Sequence, residues 1–250
     1  MNPDKNYERR NVLTELLKKT PFQFQFMSIN DDIDLAPAAI AKSHDIKKTV
    51  DSLGRDLSRG ELASTLNHLL CYRKFLESEN DIAIILEDDA DFIVDKFNYL
   101  VSLLISVINE NKPYVYLLTP VISYLNNNSQ RLNADYKVVE VVQSLDSSGY
   151  ILTRKAAEKM IIANSKAWLI ADEWVKYRRH ANVNIFSVIP PIIIQNIGVF
   201  GSNLKNSRAK AVKSRTLKYI FSRMGYKVFA DVKKYLWLMP FKGYIRNKGV

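Results

Sequence analysis

Three consecutive carboxylates, Glu87-Asp88-Asp89, with Asp91 and Asp95 close behind, are the strongest chemical signal in this chain. They follow the apolar run Ile82-Ala83-Ile84-Ile85-Leu86, whose composition predicts a strand buried on both faces. In α/β sheets, ligands bind beyond the carboxyl ends of strands. Adjacent carboxylates there repel one another, and a divalent cation would relieve the repulsion. Hard oxygen ligands suit Mg²⁺ or Mn²⁺, which commonly bridge to substrate phosphates. The alternative is a solvated acidic loop, with an Asp capping the next helix. His68 is either a packed, hydrogen-bonded residue or a catalytic one. His44 and His180 have no partner pattern. No Cys/His cluster, P-loop, GxGxxG or GxSxG motif occurs, so structural zinc, P-loop, Rossmann and serine-hydrolase readings lose their support.

The elements that would hold the acidic turn alternate between helix and strand. Val12, Leu13, Leu16 and Leu17 predict a helix over 7–19, ended by Pro21. Phe22-Gln23-Phe24-Gln25-Phe26 alternates as a strand does. Residues 31–57 are polar and irregular, with a short helix expected around 36–42. Ser58 with Glu61 three residues on is a capping box. It opens a long helix striped by Leu62, Leu66, Leu69, Leu70, Phe75 and Leu76. Further helices are expected over 95–109, 154–164 and 172–179. Strands are expected over 114–118, 136–142, 149–152, 184–189 and 192–194, with a loop at 126–129. This order predicts an α/β fold with a mostly parallel central sheet. No internal repeat is visible.

The chain has 250 residues, 47% hydrophobic and 25% charged, ordinary composition for a packed domain. One cysteine, Cys71, cannot form an internal disulfide, which points to a reducing, cytoplasmic setting. No apolar run approaches the roughly 20 residues of a spanning helix, and the polar start is not a secretory signal. The net charge is +10, but 13 Lys/Arg and a single acid, Asp231, lie within 205–250. A near-neutral body over 1–204 therefore carries a basic tail. In that tail Ala209, Val212, Leu217, Ile220 and Met224 form one helical stripe, and Phe229, Val232, Leu236 and Met239 a second. Basic amphipathic helices with interleaved aromatics suit an anionic membrane surface, at about 1 kcal/mol per Lys/Arg near it. The other reading packs these helices on the body. Nucleic acid is not the expected partner, because acids at a strand end would repel phosphates unless a metal intervened.

Several blocks in order bring out a family. Leu57-Ser58-Arg59-Gly60-Glu61-Leu62 through Asn67-His68-Leu69 resembles the LSxGEIGCxLSHL helix of the family 25 glycosyltransferases. Ile84-Ile85-Leu86-Glu87-Asp88-Asp89-Ala90 resembles that family's ALILEDDA. Gly149-Tyr150-Ile151-Leu152-Thr153-Arg154, Asp172-Glu173-Trp174 and Pro190-Pro191 through Gln195 resemble later blocks. The resemblance spans residues 2–200. It implies a GT-A-like nucleotide-sugar fold and inverting transfer of a hexose, galactose being the expected one. The donor would be a UDP-sugar and the acceptor a lipooligosaccharide or lipopolysaccharide saccharide. Glu87 and Asp89 would face a Mn²⁺ or Mg²⁺ ion. Asn2, Arg10, Glu87, Asp88, Gly149 and Tyr150 would bind donor, and Glu61, His68 and Gln195 would support the site. Asp172 is the candidate base or, alternatively, a helix N-cap. Tyr150 lines the pocket or the core.

Ser64 and Asn67 depart from the family's usual Cys and Ser. Family members usually open on a strand of the form IxVINLxxSxERR, and Met1–Arg10 aligns with only its end. Either the true start lies upstream, or the strand is absent and a sheet edge is exposed. The expected setting is the inner face of the cytoplasmic membrane, reached peripherally through 205–250. The competing function is a catalytically inactive relative that serves as a glycan- or membrane-binding scaffold.

Overall fold

A computed structural model describes residues 7–27, 42–195 and 243–247. Six helices are described: α1 (Tyr7–Leu17), α2 (Ile46–Leu53), α3 (Arg59–Glu77), α4 (Val94–Val107), α5 (Arg154–Ala163) and α6 (Trp174–His180). The strands are β1 (Ile82–Leu86), β2 (Ala90–Asp91), β3 (Tyr114–Leu117), β4 (Ser123–Arg131), β5 (Lys137–Gln143), β6 (Gly149–Thr153), β7 (Asn184–Ile189), β8 (Ile194–Gln195) and β9 (Tyr244–Arg246). Seven of them form one sheet in the order β1-β6-β3-β7-β5-β4-β9, and β2 pairs with β8 separately.

The sheet is mostly antiparallel, which corrects the expectation of a mostly parallel one. Only β3 and β7 pair in parallel. Parallel neighbours need a long crossover, whereas short links impose antiparallel pairing. Residues 132–136 join β4 to β5 and are too few to hold a helix, so these two neighbours pair antiparallel, and residues 144–148 lead on from β5. β6 then slots between β1 and β3, antiparallel to both. β1 and β3 therefore run in the same direction with α4 as their crossover. The βαβ rhythm legible in the sequence is real, but returning strands are interleaved with it.

Alternation along the strands divides the core into two layers. On one face Val115, Leu117, Tyr150 and Leu152 pack with Leu69, Tyr72 and Phe75 of α3, Ala156 and Met160 of α5, and Trp174 and Tyr177 of α6. On the other face Tyr116, Leu118 and Ile151 pack with Leu13 and Leu17 of α1 and with Phe97, Leu100 and Leu104 of α4. Helices thus cover both faces of the sheet.

Several local expectations change. Phe22–Phe26 is not a strand. Phe22 packs edge-on to Phe97 at 6.1 Å between centroids, while Phe24 is exposed. A cavity of about 640 Å³ separates this segment from β1, lined by 21–27, Leu13, Leu17 and Ile82–Leu86. Among the described strands β1 lies at the sheet edge, and of its five residues only Ile85 is buried. Arg154 N donates to Asp81 O and Glu87 N to Ser148 O, each at 2.9 Å. The odd-numbered residues therefore bond to β6, and the backbone groups of Ile82 and Ile84 point outward. Residues 126–129 are no loop. They lie within β4 at a register shift, with Asn126 N bonded to Gly243 O at 2.8 Å.

α2 falls in the stretch expected to be irregular, capped by Asp45 and ended by Gly54 at φ 74°. The helix expected at 36–42 lies outside the described residues except for residue 42. Most of 205–250 and both of its apolar stripes also lie outside them. Tyr244–Arg246, expected in a helical tail, is instead a strand paired with β4. Among the described residues no helix is long and apolar enough to cross a membrane.

Candidate active site

The site is built where β1 ends. Its backbone stays in register with β6 as far as Leu86↔Gly149, and the chain then turns through Glu87-Asp88-Asp89 into β2. Gln195 in β8 lies opposite Ala90, next to the turn. The approach to β6, Asp146-Ser147-Ser148, closes over the turn from the other side.

Each acid of the triplet has its own surroundings. Glu87 Oε1 accepts from Ser147 Oγ at 2.6 Å and lies 3.1 Å from His68 Nε2. Burial pushes this carboxyl up, but the hydrogen bonds from His68 and Ser147 outweigh it and leave the pKa lowered. Asp88 forms a 3.5 Å ion pair with Arg9 of α1, both side chains being nearly buried. Asp89 has the least compensation. Its Oδ1 is buried and accepts no hydrogen bond among the described residues. Burial, then the charges of Glu87 and Asp88, raise its pKa to about 7, against a smaller opposing pull from Arg9. Burial also raises Asp146, although Ser148 donates to it from N at 2.8 Å and from Oγ at 2.6 Å.

Behind Glu87 lies a buried chain of polar groups. His68 Nδ1 is 2.6 Å from Tyr150 Oη, which is 2.6 Å from Tyr72 Oη. Tyr150 and Tyr72 are fully buried and His68 nearly so. Trp174 braces the assembly, with its ring edge-on to Tyr150 at 5.0 Å and its Nε1 donating to Asp146 O at 2.7 Å.

The arrangement gathers three carboxylates at the end of β1, one held by Arg9, one by His68 and Ser147, and one with a buried oxygen that accepts no hydrogen bond among the described residues. Residues 1–175 match glycosyltransferase family 25, described as LPS biosynthesis protein. The chain belongs to glycosyltransferase family 25. No curated protein matches it. It is accordingly a glycosyltransferase of lipopolysaccharide biosynthesis, an enzyme that binds a sugar donor and a glycan acceptor.

Within this family 25 glycosyltransferase, the residues singled out from sequence fall into three groups. Glu87, Asp88, Asp89, His68, Tyr150 and Gln195 gather at or behind the acidic turn. Glu61 is committed elsewhere. It completes the capping box with Ser58 and grips Arg55 through two 2.7 Å hydrogen bonds. Arg10 stacks on Phe26, its guanidinium carbon 4.6 Å from the ring centroid. Asp172 precedes α6, and its carbonyl accepts from Trp174 N at 2.9 Å. The N-cap position itself is Glu173, which makes no side-chain cap bond. Asn2 lies outside the described residues.

Gly149 is required by packing. A Cβ there would lie 2.4 Å from Cδ1 of the fully buried Ile193. Gly149→Ala is therefore expected to destabilise by about 1–3 kcal/mol, read as a lower thermal midpoint. An unchanged midpoint would show that Ile193 yields freely.

Sequence reasoning passed over Arg9, Tyr72, Asp146 and Ser147. Three of these had a signal. Tyr72 is four residues beyond His68 on α3, hence on the same face. Asp146-Ser147-Ser148 is a polar run directly ahead of the Gly149-Tyr150 block.

Proposed function

We propose that this enzyme transfers a hexose, galactose in the first instance, from a UDP-sugar to a lipopolysaccharide saccharide with inversion, on a GT-A-like fold. The observation that carries this reading is the uncompensated Asp89 carboxylate at the end of β1, in a chain of family 25. Among the described residues no three metal-ligating side chains converge. Mg²⁺ and Mn²⁺ need only one or two carboxylates when substrate phosphates complete the shell. An orphaned buried oxygen fits that role, so we assign Asp89 to the cation. When bound, the cation would supply charge stabilisation at the diphosphate leaving group.

The protein's own residues do the rest. Arg9 holds Asp88, Glu87 faces the donor from its hydrogen-bonded scaffold, and Gln195 borders the turn. The acceptor hydroxyl oxygen bonds to the anomeric carbon as the bond from that carbon to the UDP oxygen breaks. A base takes the hydroxyl proton. Asp172, beside the Trp174 brace, is our candidate. The +12 segment over 205–250 would hold the enzyme at the inner face of an anionic membrane, near a lipid-linked acceptor.

Calorimetry of UDP and UDP-galactose with and without Mn²⁺ tests the reading. Cation-dependent binding, lost in Asp89→Asn, is expected. Cation-independent binding would remove the metal assignment. An absence of binding would favour the non-catalytic scaffold. Flotation of the same protein with anionic and neutral vesicles reads the membrane assignment, with retention on anionic vesicles alone expected.

A further inference from the structure

Three buried side chains behind the acidic turn have hydrogen-bonding roles that can be assigned by counting donors and acceptors. The heavy-atom chain is Tyr72 Oη, Tyr150 Oη, His68 Nδ1, then His68 Nε2 and Glu87 Oε1, with separations of 2.6, 2.6 and 3.1 Å. A carboxylate accepts and a phenol donates one proton. If His68 Nε2–H donates to Glu87, then Nδ1 accepts from Tyr150 O–H, and the Tyr150 oxygen accepts from Tyr72 O–H. Every polar hydrogen in the chain then has an acceptor. Placing a proton on Nδ1 reverses both phenols and leaves the Tyr72 hydrogen pointing at no acceptor in a fully buried setting, an arrangement that costs a desolvated donor.

We propose that Tyr72, Tyr150 and His68 form a positioning relay that fixes His68 as its Nε2–H tautomer and thereby aims the Glu87 carboxylate at the donor. The relay rests on the donor-site reading given above. His68 and the two tyrosines touch no substrate in this scheme and act through Glu87. Their placement follows from the fold. His68 and Tyr72 are one turn apart on α3, Tyr150 is carried by β6, and Glu87 follows the strand paired to β6. The two elements meet through these rings, the imidazole of His68 lying nearly parallel to the Tyr150 ring at 5.7 Å. Ser147 supplies the second donor to the same Glu87 oxygen, so the carboxylate is held from two directions.

The test begins without substrate. In protein labelled with ¹⁵N in its histidines, NMR should show His68 Nε2 as the protonated, pyrrole-type nitrogen and Nδ1 as the bare, pyridine-type one. The double variant Tyr72→Phe/Tyr150→Phe removes both hydroxyls together and leaves Nδ1 without its donor, so the Nδ1 resonance should move toward that of a pyridine-type nitrogen that accepts no hydrogen bond. Finding a protonated Nδ1 in the wild type, or an unshifted Nδ1 resonance in the double variant, overturns the relay.

The second arm uses UDP-galactose hydrolysis in Mn²⁺. His68→Phe should lower kcat by about 10- to 100-fold, the scale seen when an orienting partner is lost. Donor KM should change less than about threefold. His68→Gln, whose amide can still donate to Glu87, should recover most of the rate. Equal loss in both variants, with both shown folded by circular dichroism, overturns the positioning role. If the wild type neither binds nor hydrolyses UDP-galactose, the functional reading fails and the positioning role with it, while the tautomer remains measured on its own.

Discussion

Asp89→Asn should raise the thermal midpoint of the cation-free protein at pH 8 by roughly 5–10 °C and leave it unchanged at about pH 3. In the folded protein, burial and the charges of Glu87 and Asp88 lift this carboxyl from its ordinary value of 3.8 to about 7. Between those two values the native state holds a proton that the unfolded chain releases. The resulting stabilisation is complete below pH 4 and disappears as pH rises through 7. At pH 8 the wild type carries a buried, poorly compensated charge, and asparagine removes it. A shift of this size corresponds to something on the order of 2–4 kcal/mol. Near pH 3 the carboxyl is neutral in the folded and the unfolded chain alike, so the substitution gains nothing there, and the gain grows as pH rises from about 4 to about 7. Scanning unfolding temperature against pH for both proteins checks this. Parallel curves would show that Asp89 ionises normally. The variant should also lose cation-dependent UDP binding, so that stability and function move in opposite directions.

The second large effect lies at the start of α3. Arg55→Met leaves Glu61, 1% exposed, with a buried carboxylate stripped of its two guanidinium hydrogen bonds. Breaking a buried pair from one side costs about 3–5 kcal/mol. Because Arg55 retains some contact with solvent, the lower end is expected. Glutamine at the third helical position preserves a capping box, so Arg55→Met/Glu61→Gln should regain much of the loss. Burial pushes Glu61 up, but Arg55 and Ser58 outweigh it and leave its pKa lowered. The pair's contribution is therefore full at neutral pH and is lost as pH falls through the folded-state pKa. Urea unfolding of the two variants at pH 7 measures it. A single-variant loss below about 1 kcal/mol would mean that the pair behaves like an exposed one.

The long helix, the strand Ile82–Leu86 and the acidic turn were legible because each is locally specified. Ser58 and Glu61 cap one another, and five apolar residues between polar ends leave few alternatives. Sheet direction was not legible. It depends on how 144–148 returns the chain between β1 and β3, and no periodicity encodes that. The alternation of Phe22, Phe24 and Phe26 had the pattern of a strand but met no partner within hydrogen-bonding reach, so pattern alone did not make one. Asn126–Ser129 had loop composition, yet pairing with β5 and β9 carries the chain through it as an irregular strand. In the site, carboxylates announce themselves by clustering. Arg9 was obscured by Arg10 beside it, since only the helix phase decides which of the two turns inward. The relay is a contact between elements 82 residues apart, invisible until α3 and β6 are packed.

The outward edge of β1 has a consequence for how the chain behaves in company. Among the described residues no strand pairs with Ile82 and Ile84 on this side, and such an edge beside an apolar trough is the feature that recruits foreign strands and seeds aggregation. What guards it is charge at both ends, with exposed Asp81 before the run and Glu87-Asp88-Asp89 after it. Acids flanking an unavoidable apolar strand act as gatekeepers. The turn that we assign to the sugar donor therefore also serves as colloidal protection, and neutralising it by protonation or substitution takes away part of the repulsion that keeps neighbouring copies apart.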